Sequence, residues 1–203
     1  FRLEHAAHHA HTQDETRDPQ FIAASARYGS YLLFATGLPF WRYLLGNLCR
    51  HAAGRFDATD ALYLSAAQQP AVTREARVFL LVYAGIALVS WASGSPAALV
   101  YWLVPRVVAE PWMRLVRMAE HGACARVADM LRNTRTVRTL ALLRWLAWNM
   151  PFHAEHHALP AVPFHALPKL HPLLARHLAE LEPGYLAAHR RLLRAATQRS
   201  SEA

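Results

Sequence analysis

Apolar stretches bounded by arginine dominate the middle of the chain. Residues 78–105 contain no charged side chain, and arginines stand on both sides of them. A helix needs about 20 apolar residues to cross a bilayer core, so this stretch is longer than one span. Gly94 and Pro96 interrupt it, and such residues favour a turn. The pattern predicts a transmembrane hairpin over residues 78–113, whose second limb continues past Arg106 and Glu110.

Most of the other segments show helical spacing of apolar positions. Residues 28–41 are apolar but too short to span a membrane, which favours an interfacial or re-entrant segment. Residues 13–19 form a polar loop that we expect to be solvated. The spacing predicts further helices over residues 2–12 and 118–133, and a basic amphipathic helix over residues 185–194. The predicted class is all-α.

The amino-acid composition and charge limit the classes of partner that the protein is expected to bind. The 54% of apolar residues exclude a disordered chain, and the 22 Lys and Arg against 14 Asp and Glu give a net charge of +8. The arginines lie beside apolar runs and form no stripe with interleaved aromatics, which favours lipid headgroups over nucleic acid. Cys49 and Cys124 have neither metal-type nor disulfide-type spacing, so we expect reduced thiols.

Two histidine triplets carry the candidate chemistry. Each has the pattern H-x-x-H-H, and on a helix positions i, i+3 and i+4 share one face. The triplets lie near opposite ends of the sequence, at His5, His8 and His9 and at His153, His156 and His157. They can share a site only if they lie on the same side of the membrane, which requires an even number of crossings between them. Arginine at both ends of the hairpin agrees with a cytoplasmic location for both triplets.

His121 adds a seventh candidate ligand. Imidazole ligands suit iron, copper and zinc, and a single tetrahedral zinc needs only three or four ligands. Seven candidates therefore favour a pair of ions. Such a site beside an apolar hairpin suggests oxygen activation on an aliphatic substrate.

Several short motifs occur together with the triplets. They are Arg2-x-x-His5-x-x-His8-His9-x-x-Thr12, Ala119-Glu120-His121-Gly122, Asn133-Thr134-Arg135-Thr136, and His153-Ala154-Glu155-His156-His157 followed by Val162-Pro163-Phe164-x-x-Leu167-Pro168. This combination resembles the membrane fatty acid desaturase superfamily, in its bacterial desaturase and hydroxylase branch.

The resemblance implies a single desaturase-like domain over residues 1–203, with a membrane helical hairpin and a cytoplasmic helical cap that carries the histidine boxes. It implies two irons, O2 as co-substrate and these metal ligands: His5, His8, His9, His121, His153, His156 and His157. Residues expected to orient the ligands are Glu120, Glu155 and Asn149. The family's first histidine box has no match here, so we expect an N-terminally truncated, inactive fragment.

The implied function is desaturation of an aliphatic, fatty acyl substrate at the bacterial inner membrane, in a multi-pass protein with a cytoplasmic catalytic face. Its partners would be membrane lipid and an electron donor of ferredoxin or cytochrome type, with no nucleic acid. Alternatives are a hydroxylase or ketolase acting on a lipid, carotenoid or alkane, and a zinc-dependent membrane hydrolase or hydroxylase. A non-catalytic membrane protein with a degenerate site is a third.

Overall fold

The computed structural model describes residues 1–22 and 28–201, with side chains described as far as residue 197. The described chain is mostly helical, which confirms the predicted class. The helices are α1 (Arg2–His11), α2 (Tyr28–Ala35), α3 (Leu38–Ala52), α4 (Gln69–Ser93), α5 (Val104–His121), α6 (Met130–Asn133), α7 (Ala141–Leu146), α8 (His153–Ala158), α9 (Leu167–Leu174) and α10 (Tyr185–Ser201).

Two short strands accompany the helices. Strand β1 (Thr136–Val137) pairs in parallel with β2 (Leu181–Glu182). No strand was predicted here, because a ladder two residues long carries no periodicity. Its partner strand lies 45 positions away, so only the tertiary structure defines it.

The chain divides into two compact units. The first comprises Phe1–Tyr31 and Leu115–Ala203, and it contains both histidine triplets. Its apolar core is small, with Ala119 from α5, Val137 from β1 and Ala188 from α10 buried together and Tyr185 packed against them. Small side chains at these positions let α5, β1 and α10 approach closely.

The second unit, Leu32–Arg114, contains α3, α4 and the first part of α5. Helix α4 ends at Gly94, whose left-handed φ of 62° suits a helix terminus where a side chain would be strained. The chain then turns at Ser95 and Pro96 and re-enters helical structure through a π-helical turn, Leu99–Leu103. Tyr83 and Trp102 pack with ring centroids 5.5 Å apart, so the segments on either side of the turn are in contact.

Glu110 is an acidic residue within this apolar unit, and it is fully buried. Its carboxylate pairs with Arg106, one turn before it, and with Arg114 Nε at 2.6 Å, one turn after it. Arg114 also lies 4.2 Å from the centroid of the Phe40 ring. The charges in the second limb of the predicted hairpin therefore neutralise one another.

Helix α4 exposes most of its apolar side chains. Among the described residues, one helical segment, Ala66–Ser93, is long and apolar enough to cross a membrane. Leu81 is 72% exposed and Trp91 is 81% exposed. An apolar surface of this extent is rare on a soluble monomer.

One predicted helix is wrong in its extent. Residues 118–133 were expected to continue as one helix, but α5 ends at His121 and only residues 130–133 are helical again, as α6. The intervening residues turn at Gly122 and at Ala123, which has φ 54°. The early end places His121 in the last turn of α5.

Gly122 allows α5 and α10 to approach closely, and replacing it tests this packing. A Cβ at Gly122 would lie 2.5 Å from the Met118 carbonyl oxygen and 2.7 Å from Leu192 Cδ2. We expect Gly122→Ala to lower the free energy of unfolding by about 2 kcal/mol, the usual scale for overpacking. The measurement is thermal unfolding of the detergent-solubilised protein. Gly46→Ala is the control, because nothing lies within 4 Å of its Cβ position, and equal stability of the two variants would contradict the prediction.

Candidate metal centre

The two histidine triplets lie on short helices that hold them rigidly. His5, His8 and His9 lie on α1, and His153, His156 and His157 lie on α8. The structure brings these six side chains together with His121, which lies at the end of α5. All seven candidates named from the sequence are therefore neighbours.

The donor atoms fall into two main groups and a third set that overlaps the second. The first histidine group is His5, His9 and His156, and the second histidine group is His8, His121 and His157. The overlapping set is Glu120, His121 and His153. Within each set the donor atoms lie within 4.8 Å of one another. The His9 and His157 rings stack with centroids 4.1 Å apart, so the two main groups adjoin.

Several ring nitrogens face one another at the spacing of atoms that share a metal ion. His5 Nε2 and His9 Nε2 are 3.2 Å apart, and His121 Nε2 and His153 Nε2 are 2.9 Å apart. Two nitrogens that each bind one ion at about 2.1 Å, with angles between octahedral and tetrahedral, lie about 3.0–3.4 Å apart. The observed pairs match this spacing closely.

Buried nitrogens without partners indicate that the site fits a metal. A buried polar atom that lacks a hydrogen bond is costly and rare in folded proteins. Two such ring nitrogens, His8 Nε2 and His157 Nε2, belong to the second histidine group, and each lies opposite the nitrogen that bonds to a neighbouring polar residue. Two unpartnered nitrogens in one group are what a set of metal ligands requires.

Asp18 and Thr12 determine which nitrogen of the His8 and His157 rings has no partner. His8 Nδ1 donates to the Asp18 carboxylate at 2.9 Å, which leaves His8 Nε2 unprotonated. The Thr12 hydroxyl donates its proton to the His8 carbonyl oxygen at 2.6 Å. It can therefore only accept from His157 Nδ1, at 3.1 Å, and His157 Nε2 is also left unprotonated. Carboxylate and hydroxyl partners of this kind orient metal-binding imidazoles.

His5 is oriented by an amide. Its Nδ1 donates to Gln20 Oε1 at 3.2 Å, and the same oxygen accepts from Arg117 at 3.3 Å. The second bond holds the Gln20 oxygen toward the ring. His5 Nε2 is consequently the atom that faces His9.

Burial favours the neutral form of six of the seven imidazoles. Desolvation lowers the pKa of six of the seven rings, and for His9 burial together with the neighbouring His156 lowers the pKa to about 3. The other five are His5, His121, His153, His156 and His157. A neutral imidazole is the form that binds a metal ion.

The three residues expected to orient the ligands differ in their positions. Glu120 Oε2 lies 3.6 Å from His153 Nε2, and burial raises the pKa of Glu120 to about 8 even though Arg117 is nearby. Glu155 is fully buried but its carboxylate accepts from Thr136 and pairs with His171. Asn149 has a left-handed φ of 56°, and its main-chain oxygen accepts from the Phe152 N–H before α8. Their roles at a metal remain predictions.

The expected solvated loop is wrong for two of its residues. Gln13 and Asp18 are buried, because Gln13 Nε2 donates to the His121 carbonyl oxygen and Asp18 accepts from His8. Asp18 also accepts from two main-chain N–H groups. The sequence did contain a signal for this contact, because Asp18 lies ten positions after His8 and ligating histidines often donate to a carboxylate.

Comparison with known proteins supports the resemblance drawn from the motifs. The family model described as "Fatty acid desaturase" matches residues 1–189, nearly the whole chain. The chain belongs to the fatty acid desaturase family. An oxidoreductase-type activity follows in general terms from this membership. The comparisons with curated proteins and with solved structures gave no match.

Asp18 provides a test of how the second histidine group is held. Asp18→Asn removes the charge and places an amide beside His8 Nδ1, so we expect metal affinity to fall by about tenfold or more. The measurement is metal content after dialysis against a weak chelator. The control is Asp14→Asn in the same loop, because the Asp14 carboxylate accepts from the Thr16 hydroxyl and is not a partner of His8. Equal metal retention in both variants would show that Asp18 does not orient a ligand.

Proposed function

We propose that this protein is a membrane-bound di-iron oxidoreductase that uses O2 to desaturate an aliphatic, fatty acyl substrate. The observation that carries the proposal is the pair of adjoining histidine groups with unpartnered buried nitrogens, in a chain of the fatty acid desaturase family. The proposed ligands are the six histidines of the two groups together with His153.

The donor set favours two ions over one. Each main group supplies three imidazoles, and the overlapping set adds His153 and the Glu120 carboxylate beside His121. Imidazole with carboxylate suits iron, and two separate groups provide two positions. A bound iron pair would supply the oxidising chemistry.

The protein's own residues prepare the site for that chemistry. Burial lowers the pKa of six of the seven imidazoles, His8 apart, so no proton has to leave those six rings when metal binds. Asp18, Thr12 and Gln20 fix the rings of His8, His157 and His5 through the nitrogen that does not face the group. The geometry is therefore set before metal arrives, which favours one arrangement of ligands.

A membrane location follows from the second unit. We propose that residues 78–113 form a transmembrane hairpin that turns at Gly94, so both triplets lie on the cytoplasmic face of a bacterial inner membrane. The exposed apolar surface of α4 and the neutralised charges around Glu110 support it. Lipid would cover the exposed side chains, and arginines at both ends would meet headgroups.

Substrate and electron donor are inferred at the level of class. The apolar surface of the second unit suits contact with an acyl chain dissolved in the membrane. We propose a ferredoxin- or cytochrome-type donor, because desaturation with O2 consumes two electrons in addition to the two taken from the substrate. The assay below distinguishes this desaturation from hydroxylation of the same C–H bond and from a zinc-dependent reaction.

The first test is metal content and product. We expect the purified full-length protein to hold close to two irons and, with reduced ferredoxin or cytochrome and O2, to convert acyl chains to products two mass units lighter. In that protein His157→Ala should abolish turnover and lower iron content, whereas His165→Ala should change neither, because His165 is exposed and its ring meets the Phe164 ring edge-on. Products sixteen mass units heavier would indicate a hydroxylase, and zinc without iron would refute the di-iron proposal.

The second test is the membrane topology. In a variant without native cysteines, a cysteine at Ser95 should react with an impermeant thiol reagent from the periplasmic side. A cysteine at Ser65, which precedes α4, should react only after the cytoplasmic side is exposed. Labelling of both positions from the same side would exclude the hairpin.

A further inference from the structure

A buried polar segment lies at the centre of the first unit. We define it as residues 133–136, whose four members, Asn133, Thr134, Arg135 and Thr136, are each 0% exposed. Polar and charged residues are seldom buried this completely unless their groups are paired. The partners of these side chains therefore indicate what the segment does.

Asn133 is bonded to the end of the helix that carries the first triplet. Its Nδ2 donates to the Thr12 carbonyl oxygen at 3.1 Å, and its Oδ1 accepts from the Thr134 hydroxyl at 2.8 Å. Thr12 is also the residue whose hydroxyl accepts from His157 Nδ1. Asn133 thus fixes the end of α1 at a point that touches the second histidine group.

Arg135 is bonded to the end of the helix that carries His121. Its guanidinium donates to the Ala119 carbonyl oxygen at 2.6 Å, and its main-chain N–H donates to the Glu120 carbonyl oxygen at 2.8 Å. The last carbonyls of a helix have no partner within the helix. Arg135 supplies two of those partners immediately before His121, and Glu180 balances its charge at 3.3 Å.

Thr136 is bonded to the helix that carries the second triplet. Its hydroxyl donates to the Glu155 carboxylate, and Glu155 lies between His153 and His156 on α8. The other Glu155 oxygen pairs with His171 on α9. The main chain of the next residue, Val137, donates to the Pro151 carbonyl oxygen at 2.9 Å, just before α8 begins.

We propose that the buried polar segment is a positioning element that sets the relative placement of the three ligand-bearing helices α1, α5 and α8. Asn133, Arg135 and Thr136 bond to one of these helices each, so a shift of any one helix has to break a bond to the same short segment. The β1 and β2 pairing holds that backbone in place, because Thr136 N–H donates to the Glu180 carbonyl oxygen at 2.9 Å. This inference rests on the proposed function, because the experiment that tests it measures bound metal.

The segment acts differently on the two histidine groups. Helix α5 contributes His121 to the second histidine group and to none of the first, whereas α8 contributes His156 to the first and His157 to the second. Arg135 therefore affects one metal position, and Thr136 affects both. A general loss of stability would not favour one metal position over the other. This difference therefore distinguishes a positioning role from a loss of stability.

The experiment compares three variants by anaerobic titration of the metal-free protein with Fe²⁺. We expect Arg135→Lys to weaken binding of one of two ions by about tenfold or more, because lysine lacks the planar fork of donors. We expect Thr136→Val to weaken both ions, and Thr136→Ser, which keeps the hydroxyl, to restore them. Arg138→Lys on an exposed neighbour is the matched control and should bind as the unaltered protein does.

The metal–metal distance from X-ray absorption provides a second readout that a purely structural role would leave unchanged. We expect Thr136→Val to lengthen or broaden it and Thr136→Ser to match the unaltered protein. Unaltered affinities and distance in Thr136→Val and Arg135→Lys, with only a lower unfolding temperature, would overturn the inference. If the unaltered protein binds zinc and no iron, the di-iron proposal fails, and the same titrations with Zn²⁺ still decide the role of the segment.

Discussion

Removal of clustered imidazoles from water is the constraint on which the first unit depends. It is nearly complete for His8, His121, His153 and His157 and partial for the other three rings. Each buried ring has two nitrogens that must be satisfied, and desolvation makes the charged form unfavourable. The structure provides partners for one nitrogen of His5, His8 and His157, and leaves the other nitrogen facing a neighbouring ring. These polar partners therefore define the direction of the three rings.

The unit that holds the site is stabilised by polar bonds to an unusual degree. Its buried apolar cluster consists of small side chains such as Ala119 and Ala188, while fully buried side chains include Arg135 and Glu155. A hydrogen-bonded interior specifies relative orientation more sharply than an apolar one, because each bond has a preferred direction. The same interior tolerates substitution poorly, since removal of one partner leaves the other buried and unsatisfied.

The sequence predicted which histidines lie together better than it predicted the residues around them. The spacing of His5, His8 and His9 determines a shared helical face, so the grouping within each triplet followed from local geometry. The burial of Asp18 and Arg135 did not, because acidic and basic residues are exposed unless a distant partner pairs with them. For Arg135 that partner is the main chain of Ala119 and the side chain of Glu180, neither of which is a neighbour in sequence. The end of α5 at His121 was also not predicted, because a single glycine such as Gly122 is a weak signal for helix termination.

The hydrogen bond between Thr12 and His157 joins residues 145 positions apart, and this separation affects how the protein is made. At ordinary translation rates the second triplet emerges roughly 7 to 30 s after the first. During that interval the α1 imidazoles have no partners from α8 and are open to whichever metal ion is most abundant. The complete set of seven histidines therefore comes together only after the second triplet has been synthesised.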